Sequence, residues 1–134
     1  LAKRRLWLAA AVVLLLLAAA WRLYELELRP VHHDEGVNGF FLTRLVRQGE
    51  YRYDPNNYHG PTLYYAAWAV VQVGGLNTFS IRLVTVLAGL LTILVVLGLR
   101  PVIGESGSLW AAALLTVSPG MVFFSRYFIH EMLV

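Results

Sequence analysis

Two short stretches of this chain concentrate the groups that could do chemistry. His32, His33, Asp34 and Glu35 stand together, with His59 following, and Ser125, Arg126, His130 and Glu131 close the sequence. Adjacent carboxylates at the start of a helix can ionise differently. The helix N-terminus favours a carboxylate, whereas a neighbouring like charge and a low-dielectric setting favour protonation of one partner. An ionised carboxylate so placed could act as general base on an acceptor hydroxyl or amine. The plainer reading is that Asp34 caps a helix and Glu35 is solvated. His32, His33, Asp34, Glu35, His59, His130 and Glu131 also offer nitrogen and oxygen ligands, so a divalent metal (Zn²⁺, Mn²⁺ or Mg²⁺) is possible. No pair follows the His-Glu-x-x-His spacing of zinc proteases, and the histidines could equally bond headgroups or position the carboxylates.

Around these stretches the chain is apolar. Of 134 residues 58% are hydrophobic and 14% charged, and the mean hydropathy of +0.61 exceeds that of ordinary soluble domains. The composition implies an integral membrane protein. Its net charge of +3 comes from scattered Arg and Lys, with no basic groove interleaved with aromatics, so nucleic acid is not an expected partner. The absence of cysteine excludes disulfides, thiolate metal sites and a cysteine nucleophile. The chain opens at Leu1 and stops at Val134 inside an apolar run, and it reads as the N-terminal part of something longer.

The elements that must position the polar stretches follow from hydropathy and punctuation. Lys3, Arg4 and Arg5 precede an apolar run, predicting a span over about 6–24 with a cytoplasmic N-terminus. Ala18, Ala19 and Ala20 leave a cleaved signal peptide open, while Trp21 and Tyr24 suit an interfacial belt on a retained helix. Pro30 ends this element. Asp34 is expected to cap a helix over about 35–48, closed by Gly49. Val37, Phe40, Phe41 and Leu45 would form its apolar face, with Asn38, Arg44, Arg47 and Gln48 on the polar side. Such a helix is about 21 Å long and should lie along the membrane surface.

A second in-plane or re-entrant helix is predicted over about 61–74, opened by Pro61 and broken at Gly74-Gly75, with a tilted crossing as its alternative. Further spans are expected over 79–99 and 109–125, separated by a polar loop from Arg100 to Gly107 and bent at Ser118-Pro119-Gly120. The predicted fold is therefore all-α and polytopic, with about three transmembrane helices and two interfacial helices in the first outer loop. If the stretch over 61–74 does not cross, parity puts Asp34, Glu35, His130 and Glu131 on one side. Arg82 and Arg126 fall at span ends, where a guanidinium can snorkel or hold a phosphate in a bidentate way. Tyr51, Tyr53, Tyr58, Tyr64, Tyr65 and Trp68 could line a sugar or lipid path or form an interfacial belt.

In order, His33-Asp34-Glu35, Tyr51-Arg52-Tyr53-Asp54-Pro55, His59-Gly60-Pro61, Arg82-Leu83, Ser118-Pro119 and Ser125-Arg126 with His130-Glu131 resemble the GT-C glycosyltransferases. Within them the chain resembles first the flippase-activity-associated membrane proteins, a branch similar to the protein O-mannosyltransferases of glycosyltransferase family 39 and to aminoarabinose transferases. The resemblance implies a multi-span enzyme that moves a sugar from a polyprenyl-phosphate carrier, on the outer face of the cell membrane, to a protein or lipid acceptor. By position Asp34 would be the catalytic base, Glu35 its supporting carboxylate and Glu131 the second acid, where relatives often carry Asp. His33, His59, Tyr53, Arg82, Arg126 and His130 would contact substrate, with Arg82 and Arg126 towards the donor phosphate. No metal ligand or other cofactor is assigned. A transporter or flippase component using the same acids for coupling, and a non-catalytic subunit, are the rival classes.

Overall fold

The computed structural model describes residues 2–57 and 59–133, and Tyr58 lies outside the described residues. Among these residues every regular element is helical: α1 (Ala2–Leu23), α2 (His33–Gln48), α3 (Thr62–Gly74), α4 (Thr78–Gly98), α5 (Arg100–Val117), α6 (Pro119–Ser125) and a 3₁₀ turn, His130–Met132. Two helices, α1 and α4, are long and apolar enough to cross a membrane, and α5 with α6 makes a third such segment if the bent pair is one span. The protein is an all-α membrane protein.

Small residues let the long helices approach one another. Ala11 and Ala18 on α1 and Ala112 on α5 are buried with Ile93 and Leu97 of α4, as expected where close backbone contact and dispersion drive helix association. One end of this bundle is tied by the Trp7 indole N–H donating to Ser108 Oγ at 3.2 Å and by Arg100, whose guanidinium lies 4.9 Å from the Trp7 ring centroid. The other end carries α2, α3 and the segment after α6. There the Arg22 Nε–H donates to Ser125 Oγ at 3.2 Å, and Gly89 of α4 leaves the space that Ser125 occupies, since a Cβ there would overlap the Ser125 hydroxyl. Both ends of α3 sit at this end too. Its first turn reaches α2 through Tyr64 and Asn38, and its last residue, Gly74, lies against Ser80 of α4. A second core, with Phe41, Leu42 and Leu45 of α2, Leu63, Tyr64, Ala67 and Val71 of α3, Ile81 and Val84 of α4 and Phe128, fastens this layer to the bundle.

Three local expectations change. The cap of α2 is His32, whose side chain accepts from the Asp34 N–H, while the Glu35 side chain at N3 accepts from the His32 N–H. Histidine takes the place usually held by Ser, Thr or Asp in this reciprocal box. The buried face of α2 is Glu35, Asn38, Phe41, Leu42 and Leu45, and Phe40 is 59% exposed. The apolar face expected from Phe40 is rotated because two polar side chains find partners inside. Residues 100–107 are not a plain polar loop. Pro101 suits the first turn of a short helical piece, and Gly104, at φ 78° and ψ 169°, kinks the chain before the longer helical part, with the Arg100–Glu105 ion pair closing across the kink at 3.1 Å.

The 64° bend between α5 and α6 has a defined cause. Pro119 lacks the N–H that the Leu115 carbonyl would otherwise receive. Arg22, fully buried, supplies donors instead, from Nη2 to the Leu115 carbonyl at 3.0 Å and from Nη1 to the Thr116 carbonyl at 3.4 Å. The sequence alone assigns Arg22 no role, yet a buried guanidinium in a membrane helix must have such work.

Candidate functional site

The polar end of the bundle is organised by one ion pair. Glu35 and Arg82 are each 1% exposed. The Arg82 Nε–H donates to Glu35 Oε1 at 2.8 Å and Nη2–H to Oε2 at 2.7 Å, the bidentate fork that a planar guanidinium makes best. Arg82 also donates to the carbonyls of Leu26, Arg29 and Pro30 at 2.7, 3.1 and 3.3 Å. All five of its N–H groups are thus directed at this chain's own oxygens. The pair therefore ties the α1–α2 connection to the start of α4. Glu35 Oε1 further accepts the Phe128 N–H at 3.0 Å, which brings in the segment after α6. Burial alone would push the Glu35 carboxyl up. The Arg82 hydrogen bonds, the amides of Phe128 and His32, and the charge of Arg82 outweigh it and hold the group below its ordinary value.

Beside Glu35, one residue back on α2, Asp34 points away from this buried pair. Its side chain is 64% exposed and its Oδ2 lies 3.3 Å from His32 Nδ1. Asp34 lines a cavity of ≈ 260 Å³ whose other walls are Val37 and Asn38 of α2, Asn56, Asn57 and His59 of the connection to α3, and Ile129, His130 and Glu131. Three segments far apart in sequence meet here. Asn38 Nδ2 donates to the Phe128 carbonyl at 3.0 Å, the Tyr64 hydroxyl donates to Asn38 Oδ1 at 3.0 Å, and Asn57 Nδ2 donates to the Tyr64 hydroxyl at 3.1 Å. Tyr51 donates to the His59 carbonyl at 2.8 Å and stacks on Tyr64, with ring centroids 4.9 Å apart.

His59 and His130 stack with ring centroids 4.1 Å apart, and the His130 ring meets the edge of Tyr64. Burial lowers the pKa of His130 from 6.5, the nearby His59 lowers it further, and the Gly60 backbone hydrogen bond and the Glu131 charge only partly oppose this. The folded state therefore binds that proton less readily than the unfolded state, so its contribution to stability is present above 6.5 and is lost as the pH falls from 6.5 through the lower folded pKa. Heat unfolding of the full-length protein should move to lower temperature across this interval. His130→Gln, which does not titrate, should flatten that part of the profile, and an unchanged profile would count against the stack as its source.

The cavity brings together Asp34, His59, His130 and Glu131. Five expected residues do not line it. Glu35 lies beneath, in its ion pair. His33 is exposed on the first turn of α2. Tyr53 is 60% exposed on the connecting loop. Arg126 clasps the end of α1, donating to the carbonyls of Trp21, Tyr24 and Glu25 at 3.3, 2.6 and 3.1 Å. The snorkelling expected for Arg82 does not occur, because its N–H groups turn inward to Glu35 and the 26–30 carbonyls. Among the described residues no three His, Asp or Glu side chains are grouped to hold a metal ion. Sequence reading missed Asn38 and Asn57. For Asn38 the available signal was the spacing of Glu35, Asn38, Phe41, Leu42 and Leu45, which puts Glu35 and Asn38 on one helical stripe with the core; nothing in the sequence marked Asn57.

An exposed carboxylate and a second acid lining one polar cleft, at one end of a membrane helix bundle, suit proton transfer from a hydroxyl-bearing ligand. These features define a helical membrane protein with an acidic cleft at the end of its bundle. Residues 58–134 match the family model of dolichyl-phosphate-mannose-protein mannosyltransferase, and the chain belongs to that family. The family is one of membrane glycosyltransferases of the GT-C type. The match covers α3 to the 3₁₀ turn, with His59, His130 and Glu131, whereas Asp34 and Glu35 precede it. No curated protein and no solved structure matches the chain.

Proposed function

We propose that this chain forms the catalytic end of a glycosyltransferase that takes a sugar from a polyprenyl-phosphate carrier and passes it to a protein or lipid acceptor at the outer face of the cell membrane. The observation that carries the reading is the single cavity in which Asp34 meets His59, His130 and Glu131. Asp34, exposed and directed at the cavity, accepts the proton of the acceptor hydroxyl or amine as that atom bonds to the sugar's anomeric carbon. The bond from that carbon to the phosphate oxygen breaks, and the polyprenyl phosphate leaves with the electron pair. Glu131, on the wall formed after α6, is the second acid, and His59 and His130 contact the sugar or acceptor. His33, Tyr53 and Arg126 border the outer surface where the carrier headgroup approaches, with Arg126 towards its phosphate. Arg82, by contrast, acts through Glu35 rather than on the donor, and Glu35 supports Asp34 by fixing the start of α2.

The test is direct. Membranes containing the full-length protein are incubated with polyprenyl-phosphate sugars labelled in the sugar, polyprenyl-phosphate mannose first, and label is followed into protein and lipid acceptors. Transfer that depends on the protein supports the reading, and label that stays on the carrier for every sugar offered overturns it.

A further inference from the structure

The three walls of the cavity belong to α2, to the connection before α3 and to the segment after α6, and one side chain of α2 links the other two, the last directly and the connection through Tyr64. Asn38 is 3% exposed. Its Nδ2 holds the Phe128 carbonyl, and its Oδ1 receives the Tyr64 hydroxyl, which in turn receives Asn57 Nδ2. One turn earlier on the same stripe, Glu35 holds the N–H of the same residue, Phe128. The backbone of Phe128 is therefore gripped at both its donor and its acceptor by α2. Its ring, fully buried, is pegged into the core formed by α2, α3 and α4. Ile129, His130 and Glu131 follow immediately and form one wall of the cavity.

We propose that Asn38 is a positioning residue of the site, the node that fixes the spacing of Asp34, the Asn57–His59 loop and the His130–Glu131 wall. This inference rests on the proposed transferase reading for its kinetic consequence but not for its structural one. A carboxamide is the group the place requires, because it must donate to a carbonyl and accept from a hydroxyl at once. Aspartate could accept from Tyr64 but would turn a carboxylate oxygen onto the Phe128 carbonyl, and leucine would leave both partners unbonded in a buried setting.

Two variants separate the node's arms in the full-length protein. Tyr64→Phe keeps the ring in the core and deletes only the hydroxyl, freeing the Asn57 loop while Phe128 stays gripped. Asn38→Leu frees both. Amide hydrogen exchange should accelerate by about tenfold or more over residues 56–60 in Tyr64→Phe, and over both 56–60 and 127–132 in Asn38→Leu, without change in α1 or α4. In transfer assays Tyr64→Phe should raise KM with kcat nearly kept, whereas Asn38→Leu should lower kcat, because the second acid is then displaced from Asp34. If Asn38→Leu does not accumulate, the Tyr64→Phe arm decides. Wild-type exchange over 56–60 in Tyr64→Phe, or wild-type exchange over 127–132 in a folded Asn38→Leu, overturns the inference. An absence of transfer by the unaltered protein would overturn the reading of function and leave the exchange result standing.

Discussion

Glu35→Gln is expected to leave the Arg82 guanidinium buried without its anion and so to strip the protein of about 3–5 kcal/mol, the usual cost of removing one partner from a buried pair. Both groups are 1% exposed, so water does not compensate. The loss is not confined to charge. Glu35 also accepts the N–H groups of His32 and Phe128, and Arg82 holds three carbonyls of the α1–α2 connection. The amount of intact full-length protein in membranes should fall several-fold for Glu35→Gln and for Arg82→Met. The double variant Glu35→Met with Arg82→Met should recover part of that loss, since two apolar side chains leave no unpaired charge. Equal abundance in all three would mean that the pair does not hold the site together. The pH dependence has a defined sign. The folded pKa of Glu35 lies below the ordinary 4.5, so the pair's stabilisation is complete above 4.5 and is lost in more acidic solution.

The fold class was legible because membrane helices advertise themselves by length and composition. The runs that became α1 and α4 are uninterrupted, and a Pro and a Gly mark the bend after α5. The polar residues that gather at the cavity were legible as exceptions in an apolar chain. Their partners were not. Glu35 reads as solvated or as a support for Asp34, and Arg82 as snorkelling or holding the donor phosphate, when each is judged alone, and only the packing of α4 against the α1–α2 connection shows that each pairs with the other. Asn38 was hidden for a related reason. An asparagine in a helix is read as exposed, whereas its burial depends on a carbonyl ninety residues later in the chain. Periodicity records which face a residue occupies but not which distant group will meet it. Arg22 belongs to the same class, since its partners are carbonyls that Pro119 releases on another helix.

Asp34→Asn should separate chemistry from architecture more cleanly than any other change. Asp34 sits on the first turn of α2, and among the described residues its exposed side chain has only His32 within ion-pair range. Losing its charge forfeits no more than the few tenths to about 1 kcal/mol that a helix N-terminus gives a carboxylate. The cap of α2 is His32 and the buried anchor is Glu35, so neither is touched. Abundance, membrane insertion and heat stability should stay near those of the unaltered protein. Transfer should fall by about 10²–10⁴-fold, the range expected for removing a general base, because the amide cannot take the acceptor's proton. Glu131→Gln, in the same cavity, provides the comparison. If Glu131 instead were the base, its variant would show the larger loss and Asp34→Asn the smaller. Transfer at the normal rate by Asp34→Asn would remove Asp34 from the reaction and leave Glu131, with His130 beside it, as the acid on which the mechanism must turn.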